Sequence, residues 1–365
     1  MKLTNKSPQG EQIYTLAQSE TALKAKNGSI AIIKGEGTQI ENNKSLPQRA
    51  KRKTISRSMI LSPVDVAKSE NDDEWVQRYW NTYHCQNKIV EVDGKLHGEY
   101  CKNRFCTVCL AIRKAEKINK YLPELSQWKE PHLVTLTAKA VKARSLDKRI
   151  KDTKRAFKII HTRLKTRHAR GKCIKVKGIK SLECNINAKK KTYNPHFHLI
   201  VPNKETAELL LAEWLKLWTP KYASKKAQDI RKIFGLETAL IETIKYGSKI
   251  FTEPDINKKT KGSHIYAKAL HTIFKAMKGN RVFDRFGFNL PPQPIKENTT
   301  RLITNGVQWV FDKNSTDWIN SETDEYLTGY EPSLQLAYIL NNWIETNANT
   351  PLHLTKPYSI HLYNA

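Results

Sequence analysis

Long apolar runs are missing from this chain of 365 residues. No stretch of about 18 apolar residues occurs, so no membrane-crossing helix is expected. The polar start Met1-Lys2-Leu3-Thr4-Asn5-Lys6 has no apolar core behind it, so no secretory leader is expected and the protein is assigned to the reducing cytoplasm. Cysteine is sparse, and in that compartment the six cysteines are expected as metal ligands or core residues rather than disulfides. Acidic residues are the most telling shortage. There are 35 against 63 lysines and arginines, a formal net charge of +28. Such an excess points to a polyanionic partner, nucleic acid by default.

The charge is uneven. Lys139 to Lys191 holds 20 basic and 3 acidic residues, whereas Asn298 to the C-terminus holds 3 basic and 7 acidic. Residues 1–70 are polar and weakly periodic, include Lys51-Arg52-Lys53, and read as a disordered or loosely attached basic arm. Aromatic residues gather from Trp75 onward and introduce a cysteine-rich stretch over 71–128. His132 to Ala138, rich in β-branched residues and preceded by Pro131, reads as a strand. Leu146, Ile150, Thr153, Phe157, Ile160 and Leu164 step by 4, 3, 4, 3, 4 along one helical face, with Ser145 as N-cap. The other face carries Lys148, Arg149, Lys154 and Arg155, placed to contact phosphates. A strand over 177–187 and the turn Lys189-Lys190-Lys191-Thr192 predict a hairpin with the next strand. Helical patterns follow over 204–218 and within 225–251, and Pro291-Pro292-Gln293-Pro294 marks a linker to a C-terminal accessory region, 291–365.

The most informative stretch is Tyr193-Asn194-Pro195-His196-Phe197-His198-Leu199-Ile200-Val201. Strand residues alternate faces, so His196 and His198 share one face while Phe197 and Leu199 take the other. Pro195 cannot donate to a ladder and is expected to mark the strand start. Two imidazoles on a rigid strand are part of a metal site, which needs a third ligand. Glu183 is the only carboxylate between Asp152 and Glu205 and is the expected third ligand. Such a set suits Mn²⁺ or Mg²⁺ in phosphoryl chemistry, and also Zn²⁺.

Glu242, Tyr246 and Lys249 recur at i, i+4 and i+7, one face of a helix. Tyr246 is placed to attack a phosphodiester, Lys249 to stabilise the phenolate or phosphate, and Glu242 to deprotonate a water or hydroxyl. Tyr193 and Tyr222 are weaker nucleophile candidates. Cys101-x4-Cys106-x2-Cys109 has zinc-ligand spacing, with Cys85 the preferred fourth ligand and His84 or His97 as substitutes. Arg104 and Arg113 beside it are expected to help grip DNA.

In order and spacing, Leu133-Val134-Thr135-Leu136-Thr137, then Pro195-His196-Phe197-His198, then Tyr246-Gly247-Ser248-Lys249 resemble three motifs of the rolling-circle plasmid replication initiators of the HUH endonuclease superfamily. Glu242 points to the subgroup with one tyrosine and one glutamate, and Cys101 to Cys109 is similar to a cysteine segment upstream of the first motif in many of them. The likeness runs from about Cys101 to Phe286. It implies an α+β HUH endonuclease fold over 129–290, a central antiparallel sheet flanked by helices, preceded by a small Cys-rich zinc-like module. It also implies a metal-dependent site-specific nickase with strand-transfer activity. Tyr246 would hold the 5′-phosphate covalently and leave a 3′-OH to prime synthesis, and Glu242 would activate water at termination. His196, His198 and Glu183 would hold the ion, and one structural Zn²⁺ is expected. The implied partners are plasmid origin DNA, a host helicase and a DNA polymerase, with no membrane; a homo-oligomer is left open. The competing readings are an HUH transposase or relaxase, and a non-catalytic zinc-containing nucleic-acid-binding protein.

Overall fold

The computed structural model describes residues 46–187, 190–244, 267–292 and 306–334, with short strands at 31–34, 38–39, 264–265, 300–303, 344–347 and 350–353 and the pair 336–337. In chain order the elements used below are β1 (Thr38–Gln39), α1 (Leu46–Met59), α2 (Leu61–Ser69), α3 (Asp73–Tyr83), β2 (Lys88–Val92), β3 (Lys95–Gly98) and α4 (Thr107–Leu125). They continue with β4 (His132–Thr137), α5 (Leu146–Ala169), β5 (Gly178–Asn187), β6 (Thr192–Val201), α6 (Lys204–Tyr222), β7 (Asp229–Lys232) and α7 (Leu236–Thr243). The last are α8 (Ala267–Met277), β8 (Phe283–Phe286), β9 (Val307–Phe311) and β10 (Trp318–Asn320). The result is α+β, with antiparallel sheets flanked by helices.

The main sheet has the order β8-β5-β6-β4-β7, every pair antiparallel. The expected hairpin is the β5–β6 pair, the longest ladder of the sheet. Helices cover both faces, which is why most residues of β4 and β6 are buried on either side. On one face, Phe157 of α5 lies 5.2 Å, ring to ring, from both Phe197 of β6 and Phe286 of β8, and Trp214 of α6 stacks edge-on to Phe197. Truncating an aromatic ring packed in this way typically costs about 3 to 5 kcal/mol. On the other face, Tyr121 of α4 meets Phe283 of β8, and α7 packs on β6 with Leu240 buried.

The strand carrying the histidines starts earlier than Pro195 suggested. β6 begins at Thr192, and Pro195 sits inside it opposite Cys184. Antiparallel ladders turn alternate residues toward alternate neighbours. Tyr193 exchanges backbone bonds with Val141 on the β4 side, so Pro195 faces that side too, just beyond the last β4–β6 pair at Thr137 and His196. Its missing N–H therefore costs no ladder bond.

A second five-stranded sheet, β10-β9-β2-β3-β1, joins residues 88–98 to residues 307–320. The cysteine-rich stretch thus borrows two strands from the C-terminal region. The structure also differs from the expected arm, since Leu46–Ser69 forms α1 and α2. The polar residues that made this segment read as solvated are buried against specific partners. Arg49 donates from Nε to Gln86 (2.8 Å) and from a terminal nitrogen to the Tyr100 hydroxyl (2.6 Å). Ile55, Met59 and Val64 join Trp75, Tyr79 and Phe105 in a core that also takes Leu270 and Phe274 from α8. Tyr79 and His271 share a buried hydrogen bond of 2.7 Å across that junction. Ser145 precedes α5 in a 3-10 turn and makes no side-chain cap bond. The strand β7 was not foreseen within 225–251.

Gly287 follows β8 with φ of +74°, and a Cβ there would lie 2.1 Å from the Val176 carbonyl oxygen. No side chain fits this turn without moving backbone. Gly287→Ala is expected to destabilise the fold by roughly 2 to 4 kcal/mol, measured as a lowered midpoint in urea unfolding against the parent chain.

Candidate metal centres and functional site

Register builds the first cluster. Glu183 on β5 pairs directly with His196 on β6, and His198 lies between Ser181 on β5 and Thr135 on β4. Directly opposed residues share a face, so the carboxylate and both imidazoles point the same way. The Nε2 atoms of His196 and His198 are 3.1 Å apart, and Glu183 Oε2 is 3.9 Å and 3.6 Å from them. Glu183 and His196 are buried, while His198 keeps 23% of its side chain exposed and opens the cluster to solvent.

Neighbouring groups set the ring orientations. His196 Nδ1 lies 2.9 Å from the Asn194 carbonyl oxygen, which only accepts, so Nδ1 carries the proton and Nε2 presents a lone pair. Thr137 donates its hydroxyl to the Asn194 side chain at 2.9 Å and steadies that turn of the strand. The hydroxyl of Thr135 engages His198 Nδ1 at 3.1 Å, again directing Nε2 inward. An ion bound at about 2.1 Å by two cis imidazoles requires nitrogens about 3 Å apart, as found here. Two histidines and one carboxylate on one side of an ion leave its other positions for substrate oxygens. The donor set therefore fits a divalent ion, and Thr135 could not be named as a ring-orienting group without the register.

The second cluster lies at the start of α4. Cys85, Cys101, Cys106 and Cys109 bring their sulfurs within 4.8 Å of one another. The Sγ of Cys109 is 3.6 Å from those of both Cys85 and Cys101. Four sulfurs around one tetrahedral Zn²⁺ at 2.3 Å lie about 3.8 Å apart, so the cluster fits that ion. The fourth member is Cys85; the His84 ring instead bonds Asn87 at 3.0 Å. Bonds among the thiols, with burial, push Cys85 and Cys101 up. Burial also opposes ionisation of Cys106, but bonds from the other three thiols outweigh it and hold its thiol well below the usual range. Sequence reasoning missed Lys53. It is buried beside the cluster and donates to the Tyr83 carbonyl and Asn87 Oδ1, both at 2.7 Å. Burial pulls it down to about 7, countered by the nearby Cys85.

The candidate DNA contacts separate. Arg104 spends its guanidinium on the Met277 and Asn280 carbonyls at the end of α8, and Arg113 on those of Lys102 and Asn103. Both therefore tie the cysteine segment to its surroundings. Arg149 lies over the Trp218 ring and bonds the Lys139 carbonyl. Lys148 and Arg155 are exposed, and Lys154 donates to Asn280 Oδ1 at 2.7 Å.

Tyr246 and Lys249 lie outside the described residues; Glu242 lies on α7, but its side chain is also outside them. Of the other tyrosines, Tyr193 is on the face of β6 opposite the histidines, and Tyr222 ends α6, which packs on that opposite face.

The fold and its clusters define an α+β protein with a two-histidine, one-carboxylate centre on an antiparallel sheet and a four-cysteine centre beside it. Residues 94–298 match the family described as Replication protein, and the chain belongs to that family. A protein of Staphylococcus aureus called Protein rep is 33% identical over 181 residues, covering 45% of this chain and 75% of the relative. Relatives of the same name from a Bacillus species and from Streptococcus pneumoniae are 29% and 24% identical, over 41% and 48% of this chain and 52% and 60% of theirs. No solved structure matches the chain. The matched span, 94–298, holds the carboxylate, both histidines and three of the four clustered cysteines; Cys85 precedes it. Among the described residues no helix is long and apolar enough to cross a membrane.

Two measurements test the centres. Purified protein should carry about one zinc per chain by elemental analysis, and Cys106→Ser should lower that content and the melting temperature together. Thr135→Val should weaken Mn²⁺ binding roughly tenfold in an electron-paramagnetic-resonance titration, since ring-orienting partners typically contribute that much.

Proposed function

We propose that the chain is a rolling-circle plasmid replication initiator that nicks one strand at its origin through Tyr246. The observation that carries this reading is the convergence of Glu183, His196 and His198 on one sheet face, within the span that matches the replication-protein family. The helix α7, which ends three residues before Tyr246 in the sequence, packs on the strand that carries both histidines. On this reading the sheet and its helices form an HUH nickase domain over 129–290. Residues 71–128 form the Cys-rich module, its sheet completed by strands from the accessory region 291–365.

The phenolic oxygen of Tyr246 attacks the scissile phosphorus, and the bond to the 3′-oxygen breaks. The phenol loses its proton and the departing 3′-oxygen gains one. The energy of the ester is conserved as a phosphotyrosine, which allows strand transfer later. Glu183, His196 and His198 would hold a divalent ion, which would supply Lewis-acid polarisation of the phosphate. Thr135 and Asn194 hold the imidazoles in the ligating tautomer. Lys249 offsets the charge on the phenolate or phosphate, and Glu242 takes the proton from the water that ends the cycle. A site built to neutralise a phosphodiester on a chain of net charge +28 suits DNA rather than a small neutral substrate.

Single-stranded oligonucleotides covering the encoding replicon, incubated with Mn²⁺, should yield a covalent protein–DNA adduct resolved by denaturing electrophoresis. EDTA and Tyr246→Phe should each abolish it, while Tyr246→Phe still binds the origin. Absence of any adduct from the parent chain, with DNA binding intact, would overturn the nickase reading in favour of a non-catalytic binding protein.

A further inference from the structure

The reverse face of the main sheet, away from the histidines, holds a cleft of about 1180 Å³ between α5 and the β5–β8 edge. Lys154, Arg155, Lys158 and Lys165 line it from α5. Lys180, Arg281 and Arg285 line it from the strand side, with Lys175 at the connection between. Its only lining carboxylate among the described residues is Asp284, 3.4 Å from both Lys180 and Arg281. No acid in the cleft faces Arg155, Lys158, Lys165 or Lys175, all of which are exposed. A protein does not gather so many like charges around a concavity without a cost in repulsion, which an anionic occupant relieves.

The floor is of a different kind. Phe157, Phe197 and Phe286 close its base but are buried in the core; the lining rings that keep exposed surface are Phe288, His161 and His168. From Lys154 to Lys165 the basic wall runs about 16 Å along α5, enough for a chain of phosphates rather than one. Basic walls beside partly exposed rings suit an unpaired strand, with phosphates on the rim and base faces turned toward Phe288, His161 and His168. A duplex keeps its base faces stacked and meets only the rim. Strand alternation separates this cleft from the metal centre. Lys180 and Phe197 point to one side of the sheet, and Glu183, His196 and His198 to the other.

We propose that this cleft is a second nucleic-acid site that holds a single-stranded DNA segment on the face of the sheet opposite the metal centre. It rests on the chain's assignment to DNA replication, not on the nicking step.

The test is fluorescence anisotropy with a labelled single strand of mixed sequence, in EDTA so that the metal centre does not contribute. Lys158→Glu with Lys165→Glu should weaken binding at least about tenfold. It should also flatten the slope of log K against log salt by about 1.4, the share of two lost phosphate contacts. Arg163→Glu with Lys216→Glu makes the same charge change outside the cleft on exposed helix positions, and should shift affinity by less than about twofold in physiological salt. Thermal melting of both variants checks that the fold is kept. Unlabelled duplex of the same sequence should compete poorly. The proposal is overturned if the two pairs weaken binding equally, if the cleft pair leaves affinity and slope unchanged, or if duplex competes as well as single strand. Loss of adduct formation with this binding pattern intact would overturn the nickase reading alone.

Discussion

The pairing register of β5 and β6 is the constraint on which the rest depends. It sets Glu183 against His196 and so turns three residues from two strands into one ligand set. A slip of one residue would send the carboxylate to the opposite face and leave it among aromatic rings, unpaired and buried, at a cost of several kcal/mol. The register is held from both sides. The reverse face of the sheet packs on α5 and α6, where Phe157, Phe197 and Trp214 fill the position opposite Leu182. The hairpin connection keeps the two strands adjacent, and Gly178 lets β5 pass within close reach of Ile200 and Phe286, where a Cβ would lie 2.6 to 2.7 Å from both.

The same sheet divides the labour of the molecule. One face gathers acceptors, two imidazoles and a carboxylate, around a place for a cation. The other gathers donors, lysines and arginines, around a place for an anion. The period of two along a strand makes such a division nearly automatic, because each strand contributes alternate residues to each face. The cysteine cluster is a separate solution to a different problem. The segment around it has small apolar clusters, and a bound tetrahedral ion would cross-link α4 to the residues on either side of β2 and β3. Lys53, reaching the cluster from α1, donates to the Tyr83 carbonyl and Asn87 and ties the first helix into that arrangement.

Several features were legible before any fold was known. The Leu146–Leu164 periodicity is one face of α5, and the residues expected as a strand at 132–138 form β4. Other features were not legible, each for a physical reason. Pro195 looked like a strand start because a missing N–H normally ends a ladder, but which side that nitrogen faces depends on where β4 stops. Residues 46–69 looked like a solvated arm because arginine and lysine are rarely buried; Arg49 and Lys53 are buried here because Gln86, Tyr100, Tyr83 and Asn87 receive their hydrogen bonds. For Arg104 and Arg113 the sequence shows the charge but not the backbone carbonyls that their guanidinium groups also bond.

By itself the sequence determined that two histidines share a face, that three cysteines have the spacing of a metal knuckle, that the middle of the chain is strongly basic, and that Tyr246 has a glutamate and a lysine at helical distance. All of these are local properties, set by the period of a strand or a helix and by short spacing. Only the tertiary structure decided the register that sets Glu183 against the histidines, that Cys85 rather than His84 or His97 completes the cysteine set, that Thr135 orients the His198 ring, and that the lysines of α5 face a cleft. Each of these depends on residues brought together from distant parts of the chain, and it is strand register and helix packing that set those distances.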